Sequence, residues 1–173
     1  MDLSDFIADF SYPEIGSPKK NQTYARMILN DCGGMVSEMS SYALYEYDAV
    51  ITRGDELLSP AFQQIRNTER KHLEIFLELA FALGADPRLW EVSPQPQSTK
   101  MRYWSPSRLP YAANTKVMLQ NAIALERASI AVYEKQLNEI KDESVQNILR
   151  RILIDEQMHM SLFRALLEET TGR

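Results

Sequence analysis

Only two histidines occur in this sequence of 173 residues, and each has a glutamate three positions before it, in Glu69-x-x-His72 and Glu156-x-x-His159. On a helix that spacing sets a carboxylate and an imidazole side by side on one face. Apolar residues continue the same face in both directions. Phe62, Ile65, Phe76 and Leu79 flank the first pair; Leu149, Ile152, Phe163 and Leu166 flank the second at identical offsets. Both pairs therefore lie in apolar stripes, where an ionised carboxylate without a partner costs several kcal/mol, about 3 or more.

A second repeat supplies two more carboxylates. Ser41-Tyr42-Ala43-Leu44-Tyr45-Glu46 corresponds to Ser129-Ile130-Ala131-Val132-Tyr133-Glu134, and Glu38 and Glu126 stand three residues ahead of these segments. Glu38 is in phase with Met35, Tyr42 and Tyr45, and Glu126 with Ile123, Ile130 and Tyr133. The chain thus reads as two related helical hairpins with an approximate two-fold relation. Glu38, Glu69, His72, Glu126, Glu156 and His159 should point into one core. Four carboxylates there repel one another, and two divalent cations would balance their charge. Mixed oxygen and nitrogen donors suit iron or manganese better than thiolate-seeking metals. The same arrangement is one of the standard ways a helix bundle builds a di-metal site.

Neighbouring residues extend the reading. Asp155 either accepts from the ring N–H of His72 on a facing helix or is a solvated helix residue. Tyr45 and Tyr133 either bond the metal-facing carboxylates or pack in the core. Glu46 and Glu134 are rotated off that face and read as surface charges. Gly33-Gly34 inside a helical pattern marks either a close helix approach or a break.

These residues need helices to hold them, and the 3–4 spacing of apolar residues predicts an all-α chain. Four long helices are expected. The first runs from about Asn21 to Arg53 and stops at Gly54. The second is capped by Ser59 with Pro60 at its first position and runs to Leu83. The third spans about Asn114 to Lys141, and the fourth is capped by Asp142 and continues to about Glu169, before Gly172. Short turns make two antiparallel hairpins. The connection from Ala85 to Ala113 is long and carries Pro87, Pro94, Pro96, Pro106 and Pro110, as a crossover along a bundle would require. Residues 1–20 read as a tail or short docking segment, with a single bundle over 21–170.

Composition narrows the function classes. Hydrophobic residues are 45% and charged residues 25%, with a net charge of −5, a poor match to a nucleic-acid backbone. The single cysteine, Cys32, excludes an internal disulfide framework or a four-cysteine metal site within this sequence. No basic leader with an apolar stretch and no spanning run is present, so a cytoplasmic protein without a membrane partner is expected.

The pattern resembles the ferritin-like superfamily of di-metal carboxylate proteins, and most closely rubrerythrin-like proteins and manganese catalases, over about Asn21 to Glu169. That resemblance implies a ferritin-like antiparallel four-helix bundle. It implies that Glu38 and His72 serve one metal, Glu126 and His159 the other, with Glu69 and Glu156 bridging. Two departures bear on activity. One cysteine cannot build the rubredoxin module usual in rubrerythrins, and Ser129 stands where they often carry a further carboxylate. Both tilt the expectation from an electron-fed peroxidase toward a self-contained centre acting on hydrogen peroxide or O2. The alternatives are a ferroxidase or iron-handling protein, and a coat-like component that keeps the metal site. For the last, the aromatic segment Met101-Arg102-Tyr103-Trp104-Ser105-Pro106 would be an interface, unless it packs over its own bundle. A homo-oligomer without nucleic acid is expected.

Overall fold

Apolar stripes of this kind lose their contact with water only by packing against one another. In the computed structural model, which describes residues 2–91 and 102–171, they meet in a four-helix bundle. The first bundle position is filled by two helices in succession, α1 (Gln22–Gly33) and α2 (Glu38–Ile51), both packed along α3 (Leu58–Ala82). The second hairpin is α4 (Thr115–Glu139) against α5 (Glu143–Thr171). Asn21, Ser37, Asn114 and Asp142 accept from backbone N–H groups at the starts of α1, α2, α4 and α5. Gly84 takes the left-handed conformation just past α3 (φ +97°).

Two expectations about these elements are corrected. The first helix is not continuous: it breaks between Gly33 and Glu38. Ser37 Oγ donates to Gly34 O at 2.8 Å, turning the chain and capping the next helix. A close approach occurs at the same place, made by the crossover rather than by a helix. A Cβ on Gly33 would lie 2.9 Å from the Leu89 carbonyl carbon. The second helix is not capped by Ser59. Asp55 Oδ1 accepts from the N–H groups of Leu57 and Leu58 at 2.9 and 2.8 Å, so α3 starts earlier, and the Ser59 hydroxyl donates to Ala49 O.

Within the crossover, β1 (Trp90–Glu91) pairs with β2 (Arg102–Tyr103) as a short antiparallel ladder. The Trp104 indole donates to Ser40 Oγ at 3.0 Å, so this part of the aromatic segment packs over its own bundle. Pro94, Pro96, Met101 and Gly172 lie outside the described residues. The N-terminal segment lies on the bundle. Leu3 O accepts from Gln64 Nε2 at 3.1 Å, and Phe10 O from Arg151 Nε at 3.0 Å. Among the described residues, no helix is long and apolar enough to cross a membrane.

The core is divided along the helix axes. One apolar cluster holds Ile28, Phe76, Leu79, Ile148 and Ile152, and the other Leu44, Phe62, Ile65, Leu119 and Phe163. On α3 and α5 the Glu-x-x-His pairs lie between the two clusters. They form a polar belt sealed by apolar side chains above and below.

Candidate metal centre

All six residues singled out by type and spacing are buried together. Glu69, His72, Glu126 and Glu156 have no exposed surface, Glu38 retains 1% and His159 3%. The helix break makes Glu38 the first residue of α2, where a carboxylate also meets the positive end of the helix dipole. Two sets of four donors form, Glu38, Glu69, His72 and Glu156 in one, and Glu69, Glu126, Glu156 and His159 in the other. Within each set the donor atoms lie within 4.8 Å of one another. Glu69 and Glu156 belong to both.

Both imidazoles turn Nδ1 toward the carboxylates. His72 Nδ1 lies 3.1 Å from Glu156 Oε1 and 3.5 Å from Glu38 Oε2. His159 Nδ1 lies 2.9 Å from Glu69 Oε1 and 3.7 Å from Glu126 Oε2. Buried polar atoms nearly always have a hydrogen-bond partner. Here both oxygens of Glu69 and of Glu156, Oε2 of Glu126 and Nδ1 of both histidines have none. The atoms turned away from the centre are satisfied instead. Tyr133 Oη donates to Glu38 Oε1, and Tyr45 Oη to Glu126 Oε1. Unpartnered oxygens and ring nitrogens that converge in a dry interior are the donor set that iron or manganese takes, so the residues fit a pair of such ions.

The electrostatics agree. Burial first, and then the neighbouring carboxylates, push Glu69 and Glu156 well above the usual carboxylate range. Burial works against a charged His72, but Glu38, Asp155 and Glu156 outweigh it and raise the imidazole. These shifts favour protons on Glu69, Glu156 and His72, so a cation taken up here would have to displace them.

Behind His72, Asp155 Oδ2 lies 3.0 Å from Nε2. Burial alone would raise Asp155. Hydrogen bonds from His72, Arg151 and Tyr12 override that and hold it down to about 2. Tyr45 and Tyr133 each reach the glutamate of the opposite hairpin, not the one on their own stretch of chain. Glu46 is half exposed and pairs with Arg66 at 2.6 Å, and Glu134 is exposed. Ser129 is buried and adds no charge to the belt. Three residues support Asp155: Phe10, Tyr12 and Arg151. Phe10 and Tyr12 carry no spacing signal, and Arg151 carries only its place one turn before Asp155 on α5.

Fold and site together define a ferritin-like di-metal carboxylate protein. Residues 34–167 match the family model described as rubrerythrin, and the chain belongs to the rubrerythrin family. Among solved structures it is similar to KatB, a manganese catalase from Anabaena PCC7120, with a TM-score of 0.82 and 19% identity over 96% of this chain and 80% of that one. A second structure, wild-type KatB from Anabaena, gives 0.81 and 18% identity over 95% and 80%. No curated protein matches the chain.

Proposed function

We propose that this protein holds two manganese or iron ions and disproportionates hydrogen peroxide. The observation that carries this reading is the sharing of Glu69 and Glu156 between two donor sets whose inward atoms have no other partner. Glu38 and His72 would complete one half and Glu126 and His159 the other. The likeness to a manganese catalase fold supports the reading. When bound, such a pair can exchange two electrons with peroxide, one molecule being reduced and the next oxidised.

The chain's own residues do the rest. The four glutamates neutralise the ions and keep them close. Tyr45 and Tyr133 fix the outer oxygens of Glu126 and Glu38, leaving the remaining oxygens aimed inward. Asp155 holds the outer nitrogen of His72, so that Nδ1 presents its lone pair. The apolar clusters above and below exclude bulk water, which strengthens every charge interaction inside. Disproportionation draws its electrons from peroxide itself, so the reaction is complete with this centre alone. Elemental analysis of natively purified protein, followed by O2 release from hydrogen peroxide, tests the proposal. About two ions per chain with catalytic O2 release is the expected result. Two ions without O2 release would refute the activity, and no bound metal would refute the site.

A further inference from the structure

The two halves of the centre match in their donors but not in what stands behind them. On the His72 side, Asp155 Oδ2 receives three groups. His72 Nε2 is at 3.0 Å, Tyr12 Oη donates at 2.7 Å, and Arg151 Nη1 pairs at 2.6 Å. Arg151 is fixed in turn. Its Nε donates to Phe10 O at 3.0 Å, and its guanidinium lies 4.4 and 4.3 Å from the ring centres of Phe10 and Tyr12. The Tyr12 ring also meets the His72 ring edge-on, 5.8 Å between centres. On the other side, the residue corresponding to Asp155 is Thr68, whose hydroxyl is turned to Gln64 O. Among the described residues no carboxylate pairs with the outer nitrogen of His159, and His159 keeps some exposure while His72 has none.

We propose that the N-terminal segment, through Tyr12 and Phe10, is a positioning device for His72 that makes the half-site of Glu38 and His72 bind the first ion. The inference rests on the di-metal reading above and deepens it. A carboxylate behind a ligating imidazole fixes its tautomer and raises its basicity, and losing such a partner typically weakens metal binding by about 10–100-fold. Tyr12 and Arg151 set the direction of that carboxylate. No carboxylate among the described residues stands behind His159, so its half-site fills second. Coupling of this kind is reciprocal. If docked Tyr12 tightens the first ion tenfold, the first ion tightens docking of the segment by the same factor, about 10.

Cobalt(II) titration of metal-free protein, followed by visible absorption and calorimetry, tests this without any assay of turnover. The wild type should show two steps, the first tighter by about tenfold or more. Tyr12→Phe, which keeps the ring, should weaken the first step by about tenfold and leave the second in place, so the steps merge. Asp155→Asn should do the same more strongly. Amide hydrogen exchange at residues 8–13 should slow with the first equivalent of cobalt and change little with the second. Two equal steps in the wild type, or equal weakening of both steps by Tyr12→Phe, would overturn the proposal while leaving the di-metal reading intact. Exchange at 8–13 that ignores cobalt would overturn it too. If no cobalt binds, both fall together.

Discussion

Glu69 faces the histidines of both hairpins: its Oε1 lies 2.9 Å from His159 Nδ1, and its Oε2 lies 3.7 Å from Nδ1 of His72 one turn along its own helix. Glu38 approaches His72 alone, at 3.5 Å. The two carboxylates should therefore fail differently. On the proposed di-metal reading, Glu69→Ala removes a donor common to both ions, and bound metal should drop to well below about one per chain. Glu38→Ala removes a donor to one ion and should leave about one, held by Glu69, Glu126, Glu156 and His159. Elemental analysis after desalting checks both. Equal losses in the two variants would show that Glu69 is not shared.

The tyrosines cross between hairpins, Tyr45 to Glu126 and Tyr133 to Glu38. Each phenol fixes one oxygen of a buried glutamate whose other oxygen faces the centre. Phenylalanine keeps the ring and its packing but leaves that oxygen without a donor. Tyr133→Phe should cost about 1–3 kcal/mol of stability and weaken metal binding by about tenfold or more. Tyr45→Phe should behave alike. Denaturant titration and competition with a chelator measure the two effects separately. Unchanged metal affinity in both variants would reduce the tyrosines to packing residues.

The convergence of the six buried residues was legible in the sequence because burying a charge is expensive. Two Glu-x-x-His pairs within apolar stripes, repeated at one offset with Glu38 and Glu126 in phase, have few other physical explanations. The break before Glu38 was less legible. Gly33-Gly34 is compatible with a break or a close approach, and the group that approaches is Leu89, 56 residues along the chain, inside a proline-rich crossover without periodicity. Ser59-Pro60 has the form of a helix start, yet Asp55 reaches the first free N–H groups sooner. Tyr12 lies 143 residues from Asp155, and a single tyrosine in an irregular segment carries no spacing to read.

Gly33 yields a stability prediction from that close approach. Its added Cβ would meet Leu89 backbone and Cβ atoms at 2.9–3.2 Å, and neither the end of α1 nor the backbone leading into β1 can give way without disturbing the other. Gly33→Ala should destabilise by about 1–3 kcal/mol, the usual cost of overpacking, although alanine is the better helix former. Thermal unfolding of the metal-loaded protein tests this. A variant as stable as the wild type would mean that the crossover yields easily there.

Asp48 gives a pH prediction independent of the metal ligands. It is the counterpart of Gln136 in the repeat, but Gln136 donates to Asp31 at 2.8 Å, whereas both Asp48 oxygens are buried without a partner. Burial pushes its carboxyl up to about 7, from an ordinary value of 3.8. Between those values the folded protein keeps a proton that the unfolded chain gives up, so stability falls as pH rises. The full difference, reached above pH ~7, is at most about 4 kcal/mol. Asp48→Asn cannot ionise. Relative to the wild type it should lose ground or stay level near pH 4 and gain steadily to pH 8, with the gain levelling off above neutrality. Because the glutamate cluster titrates in both proteins, the difference between their denaturation curves, measured with metal bound at each pH, isolates Asp48. Parallel curves across that range would show that Asp48 is ionised in the folded state at low pH, and so has a partner that its buried position does not reveal.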